Sequence, residues 1–306
     1  MKKYIFVLTS FCLILCVNVF PQAPELKDDL FDGEALLMHV KNLSSDAFEG
    51  RRTGTKGAVK ARKYIINTFC KLQVKPLRKS YEQSFMFIKN KKEYKGVNIL
   101  GLIKGTYKPN KYIVVSAHYD HEGIKSGQIY NGADDNASGV CALFSFAEYF
   151  KVHPPKHSVI LVAFDAEELG LRGSRHYVNN TVVPSKNILL NINMDMISRS
   201  GNKELFVVGV ETHQHFKQLF SSKEFKTEDI KILVGHDGYD EKDNWTYSSD
   251  HANFYKKGIP FLYFGVEDHE DYHEPTDDFE NIHPEFYCKA VKQIITVFKQ
   301  IDLLSF

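Results

Sequence analysis

The 306-residue chain has only five cysteines, and it lacks every cysteine pattern that would commit them to a role. Cys12 and Cys16 fall inside an apolar leader. The remaining three, Cys70, Cys141 and Cys288, permit at most one disulfide, so a disulfide-built scaffold is excluded. No Cys-x-x-Cys is present, which argues against a thiolate zinc site. The three sit in apolar helical patterns and read as core residues. Net charge is lacking as well: 39 Lys and Arg against 38 Asp and Glu leave +1, which gives no support for a nucleic-acid partner. Lys89–Lys95 is a short basic surface run at most. There is no Gly-x-Ser-x-Gly elbow for a serine nucleophile. Gly50–Gly57 lacks the Gly-x-x-x-x-Gly-Lys-Ser/Thr pattern of a phosphate loop. No repeat, low-complexity tract or Pro/Ser linker divides the chain.

What is present starts with an address. Met1-Lys2-Lys3, an apolar run from Tyr4 to about Phe20, and a break at Pro21-Gln22-Ala23 make a secretory signal layout. The run falls short of a comfortable membrane span of roughly 20 residues. The expectation is a signal peptide over 1–22, a secreted or periplasmic product with no stable membrane insertion after signal removal, and one catalytic domain over 23–306. Oligomeric state is not legible.

Continuous apolar runs at Tyr112–Ala117, Ser158–Phe164, Ile188–Met194, Leu205–Gly209 and Ile259–Phe264 read as buried strands, with further strands at Tyr81–Ile88 and Lys95–Ile103. Helical patterns cover Glu34–Phe48, Ala58–Leu72, Val140–Phe150, Leu169–Tyr177, His213–Phe220 and Phe286–Phe298. Buried strands alternating with helices predict an α/β fold: a mixed, largely parallel central sheet covered by helices on both faces.

In such sheets ligands gather beyond the carboxyl ends of strands. Here Tyr112–Ala117 runs into His118-Tyr119-Asp120-His121, Ser158–Phe164 into Asp165-Ala166-Glu167-Glu168, and Ile188–Met194 into Asp195. Ile259–Phe264 leads, after Gly265, into Glu267–His273. A fifth stretch, Asn131–Gly139, carries Asp134 and Asp135 in a loop of small residues. Taken alone that loop reads as a solvated turn capping a helix; four strand ends delivering imidazole or carboxylate to the same rim change its weight. Zinc takes His nitrogen and Asp/Glu oxygen. Two metals roughly 3.5–4 Å apart can share a carboxylate and a water and polarise a carbonyl, while a separate carboxylate moves the proton. Glu167-Glu168 suits that division, since neighbours point differently.

Together, His118-x-Asp120, Gly132-Ala133-Asp134-Asp135-Asn136-Ala137-Ser138-Gly139, Glu167-Glu168-x-Gly170, Asn193-Met194-Asp195-Met196 and Tyr272-His273 resemble the co-catalytic di-zinc aminopeptidases. Glutamate carboxypeptidase II and glutaminyl cyclase are relatives of that family. The resemblance runs from Leu43–Arg51 to Asp277–Ile282. It implies a zinc-exopeptidase fold, two Zn2+ and peptide substrates. It implies that Asp135 bridges both metals, that Glu168 and His273 complete one, and that His118 and Asp195 complete the other. Glu167 would be the general base, and Asp120 the group that orients His118. A cis peptide after Asp135 is implied too, and a weaker oxyanion role for Tyr272. Asp134 receives no role.

Several features read as structural. His269-Glu270-Asp271-Tyr272-His273 spells His-Glu-x-x-His, but without helical periodicity it cannot present its two His as a zincin helix does, so His269 is not expected to be a ligand. Ser249-Asp250-His251 reads as structural, near the rim. His121 reads as a loop cap, and His153 and His157 as surface loop. The expected activity is that of a secreted metalloaminopeptidase. A glutaminyl-cyclase-like acyltransferase and a carboxypeptidase of the same clan are the alternatives; a binding module or a His-Glu-x-x-His protease is less favoured.

Overall fold

The computed structural model describes Met1 and residues 30–212, 214–220, 230–238 and 240–304. The signal-peptide expectation over 1–22, with Cys12 and Cys16, lies outside the described residues, as does His213. The helices are α1 Gly33–Leu43, α2 Lys56–Lys71, α3 Gly139–Val152, α4 Arg172–Asn179, α5 Gln214–Phe220, α6 His251–Tyr255 and α7 Pro284–Leu303. The strands are β1 Lys75–Pro76, β2 Glu82–Lys89, β3 Lys92–Ile103, β4 Lys108–His118, β5 Gly123–Lys125, β6 Gln128–Tyr130, β7 His157–Phe164, β8 Ile188–Met194, β9 Glu204–Val208, β10 Lys231–Val234 and β11 Phe261–Gly265.

Nine strands form one sheet in the order β1-β3-β7-β4-β8-β11-β9-β10, with β2 on β3. Its centre, β7-β4-β8-β11, is parallel. Antiparallel pairing appears on both sides, at β3–β7 and β9–β11. Two layers of helix account for the continuous apolar runs. Ile113 and Val115 of β4 face one core with α1, α2, α3 and α7; Val114 between them faces a second with α4 and α6. Successive side chains alternate across a strand, so a strand covered on both faces has no polar positions to spare. Helix α3 is apolar nearly all round and buried along most of its length, as a central helix must be. Asp32 caps α1 by accepting from the Ala35 N–H at 3.0 Å, and Thr55 caps α2 through Ala58.

Four expectations change. His157 is not surface loop: it begins β7, is buried, and its Nδ1 lies 2.8 Å from Asp302 of α7. Cys70 is exposed on α2 and Cys288 half-buried, so only Cys141 is core. Helix α4 starts at Arg172 rather than Leu169, because Ala166, Gly170 and Leu171 all have positive φ and make a tight turn closed by the Arg172 N–H donating to the Ala166 carbonyl. The Asn131–Gly139 stretch is not solvated but buried throughout. Among the described residues, no helix is long and apolar enough to cross a membrane.

Candidate active site

The parallel register sets the site. His118 pairs with Phe164, Ser116 with Asn193, and Phe264 with Met194, so β4, β7, β8 and β11 end level with one another. Their continuations therefore meet. His118 leaves β4, Glu167 and Glu168 occupy the tight turn after β7, Asp195 follows β8, and His273 lies in the turn after β11. The buried Asp134/Asp135 loop enters from the side, with a cis peptide between Asp135 and Asn136.

Asp135 stands in the middle. Its Oδ1 is 3.2 Å from His118 Nε2, which is 3.1 Å from Asp195 Oδ1. Its Oδ2 is 3.2 Å from His273 Nε2, which is 3.3 Å from Glu168 Oε2. Each oxygen of one carboxylate thus serves a different imidazole–carboxylate group. His118 Nδ1 lies 3.0 Å from the Asp120 backbone carbonyl, which can only accept, so Nδ1 carries a hydrogen. Its Nε2 then faces two carboxylates at once. Burial works against a charged His118, but Asp195 and Asp135 outweigh it and hold its pKa well above the usual value. A single proton can bind only one partner; a metal cation placed among these atoms satisfies all three. Burial likewise opposes a charged His273, yet Asp135 and Glu168 push it up to about 10. His118, Asp135 and Asp195 bring ligand atoms close enough to hold one ion, and on the other side Glu168 does so with His121 and Asp135 and with Glu122 and His273; nitrogen–oxygen donors of this kind take zinc.

Asp120 orients His118 through its carbonyl; its carboxylate is 3.9 Å from the ring and turned elsewhere. Asp120 Oδ1 accepts from the Glu167 N–H at 3.0 Å, and Thr53 lies between Asp120 Oδ2 and Asp165. The residue expected to steer the histidine therefore also fixes the Glu167 turn.

Glu167 and Glu168 part company, as their adjacency suggests. Glu168 joins the His273 group. Burial alone would raise its pKa, as does Asp135, but His121 and His273 bring it to about 2. Glu167 instead lines a cavity of about 310 Å3 with His118, Asp135, Asp195 and His273. Burial, then Asp195 and Glu168, push its pKa well above the ordinary range despite His118. The far walls are Trp245, Tyr263, Tyr272, Met196 and Val266, with Asp243 and Asp268 at the mouth; among the described residues no lysine or arginine lines the cavity. Tyr272 stacks on His273, ring centroids 3.9 Å apart.

Several functional residues carry little sequence signal. Arg51 is wholly buried and donates all five N–H groups to carbonyls: those of Leu43, Tyr119, Asn131, Gly132 and, at 3.5 Å, Asp135. It is the floor of the Asp135 loop. Gly50 before it has φ 62, and a Cβ there would meet the Tyr130 carbonyl at 2.4 Å. Asp277 accepts from the consecutive N–H groups of Asp134 and Asp135, both at 2.9 Å. Asp134 accepts from the Ser198 N–H and hydroxyl and lies 3.1 Å from His269 Nε2. Asp134 thus anchors its loop, and His269 sits with it, outside both donor groups. The His269–His273 stretch forms turns, not a helix.

Ser249 is nearer the chemistry than its place in the sequence suggests. A directed chain of hydrogen bonds runs from the sheet: Asn191 to Ser116 at 2.8 Å, Ser116 to Asn193 at 2.7 Å, Asn193 to Ser249 at 3.0 Å, and Ser249 to Asp195 Oδ2 at 2.6 Å. Asp195 Oδ2 is thereby occupied and Oδ1 is left for His118. A serine next to an aspartate carries no sequence signal for this; only the register of β4 against β8 reveals it.

The family model that matches is "Peptidase family M28", over residues 98–298. The aminopeptidase YwaD of Bacillus subtilis is 33% identical over 199 residues, covering 61% of this chain and 41% of that protein. A glutamate carboxypeptidase 2 homolog of Caenorhabditis briggsae is 30% identical over 166 residues, covering 52% of this chain and 18% of that protein. This chain therefore spans less than half the length of either relative. The fold is that of a zinc aminopeptidase from Bacillus subtilis (TM-score 0.70, 19% identity, 90% of this chain and 96% of the other). It is equally that of the glutaminyl cyclase from Porphyromonas gingivalis (TM-score 0.71, 17% identity, 90% and 100%). The family match extends over the four central strands and both donor groups around Asp135, and the chain belongs to peptidase family M28.

Proposed function

We propose that the protein is an exported aminopeptidase that works with two zinc ions. The observation that carries this reading is the division of Asp135, whose two oxygens serve two separate imidazole–carboxylate groups. His118, Asp195 and Asp135 would hold one ion; His273, Glu168 and Asp135 the other. Three carboxylates would then face four positive charges, which leaves room for one further anionic oxygen. When bound, such ions act as Lewis acids toward a peptide carbonyl and lower the pKa of water. Export rests on the leader-like start at Met1-Lys2-Lys3.

Glu167 lines the cavity without belonging to either group, so its carboxylate is free to take a proton from the attacking water and return it to the departing amine. Its pKa is raised chiefly by burial and by Asp195 and Glu168; cations beside those two carboxylates offset part of that push and return Glu167 toward the ionised form a base needs. Tyr263 and Tyr272 line the same cavity; the Tyr263 hydroxyl donates to the Asp195 carbonyl at 3.4 Å, which leaves Tyr272 as the phenol that can donate to a developing oxyanion.

The cavity walls favour the amino end of a peptide. A carboxypeptidase needs a cation for the substrate carboxylate, and no lysine or arginine is there among the described residues, whereas Asp243 and Asp268 suit a substrate ammonium. Metal analysis with a panel of aminoacyl-nitroanilides and an N-terminal glutamine peptide tests the proposal. Two zinc ions per chain and release of nitroaniline are expected; one zinc with cyclisation of the glutamine peptide would make it a cyclase.

A further inference from the structure

His121 lies on the Glu168 side of the centre and does more than cap a loop. It is wholly buried, and its ring is wedged by the neighbouring loop: a Cβ on Gly132 would stand 2.5 Å from His121 Cγ and Cδ2. Its Nδ1 is 2.9 Å from Glu168 Oε1 and 3.5 Å from Asp135 Oδ2. Its Nε2 is buried with no hydrogen-bond partner among the described residues. An ionised carboxylate only accepts, so the hydrogen of this contact sits on Nδ1.

The two oxygens of Glu168 are thereby separated. Oε1 takes the His121 N–H, and Oε2 remains beside His273 Nε2. This is the arrangement found across the centre at Asp195, where Ser249 occupies Oδ2 and leaves Oδ1 to His118. A ligating carboxylate held by a donor on its outer oxygen offers one defined lone-pair direction inward. His121, Asp135 and Glu168 bring ligand atoms within 4.8 Å of one another, the arrangement in which His121 would itself be a ligand; Glu122 groups in the same way with Glu168 and His273. Its Oε2, however, is 2.8 Å from Arg52 and 2.8 Å from Lys125, so it is engaged elsewhere.

We propose that His121 is a positioning residue for the second metal: it holds Glu168 by donating from Nδ1 to Oε1, and it is not itself a ligand. The proposal rests on the di-zinc reading. The Ser249 and His121 contacts are then equivalent devices, one on each half. The four residues His118-Tyr119-Asp120-His121 supply a ligand to one metal and the holder of a ligand to the other.

The test is zinc titration of the metal-depleted full-length protein against a chromophoric chelator, with cobalt spectra of the same variants and a thermal melt to confirm folding. His121→Ala should weaken the second zinc about 10- to 100-fold and leave the first unchanged. His121→Asn, whose amide can place an N–H near the Nδ1 position, should recover most of that loss with a wild-type cobalt spectrum. Wild-type affinity for both ions in His121→Ala would overturn the assignment. So would a cobalt spectrum in both variants showing one nitrogen donor fewer, which would make His121 a ligand. A wild-type protein that takes up a single zinc sinks the di-zinc reading and this one with it, and that failure is visible before any substitution is made.

Discussion

The two halves of the centre are built from different materials. The His118 half stands on strand ends: His118 closes β4, Asp195 follows β8, and a chain of hydrogen bonds from inside the sheet terminates on Asp195. The side chains of His118 and Asp195 are 1% and 11% exposed. The His273 half stands on turns: Glu168 on the tight turn after β7, and His273, 38% exposed, after β11. Similar donor sets thus sit on unequal supports, one on buried strand ends, the other on turns with a more exposed imidazole. A metal site inherits its affinity from how well its ligands are held, so the His118 half should bind the tighter ion.

Asp135→Ala makes the largest change, because it removes the group both halves share. Zinc content should fall from two to none and activity to background; one ion retained at full affinity would show that the halves are independent. Glu167→Gln should lower kcat about 10²–10⁴-fold with two zinc ions still present by metal analysis. Activity within a few-fold of wild type would remove it as the base. Ser249→Ala strikes only the strand-built half. It should weaken one zinc about 10–100-fold and leave the ion near His273 alone, readable by stepwise zinc titration; equal weakening of both would erase the contrast between the halves.

The smallest effect belongs to a part remote from the centre. Asp302 accepts from the Lys156 and His157 N–H groups and from the His157 ring. Burial opposes its ionisation, but these donors bring its pKa below the usual value. A carboxylate with a depressed folded pKa contributes stability above its unfolded pKa, roughly 4, and loses it as pH falls through the folded value. Asp302→Asn should lower Tm by a few degrees at pH 7. The gap from wild type should narrow below about pH 4; a gap that persists there would show that charge is not its source.

Much of this is legible in the residues. The four buried parallel strands are, because a run such as Val159–Phe164, with no polar position, suits only a strand covered on both faces. The residues of the two donor groups are conspicuous too, since all but Asp135 follow the ends of those runs. What stays hidden depends on contacts across the chain. Arg51 looks like part of a polar glycine loop, and nothing local says that its guanidinium is swallowed by carbonyls of other segments. His157 follows two prolines and reads as loop, yet its partner lies 145 residues away. Ser249 and His121 are ordinary neighbours of conspicuous residues, and their roles appear only once β4 and β8 are in register and the Asp135 loop has closed over the ring. Helix α4 begins late because positive φ at Ala166 and Leu171 leaves no trace in hydrophobic periodicity.

The buried guanidinium of Arg51 has one more consequence. It belongs to a segment that precedes residue 98, where the family match begins, yet it neutralises the inward-pointing backbone dipoles beneath the shared aspartate. A chain shortened to the matched residues would keep every side chain of the two donor groups and lose the guanidinium on which the loop rests. The catalytic unit is therefore larger than the stretch by which its kinship is recognised.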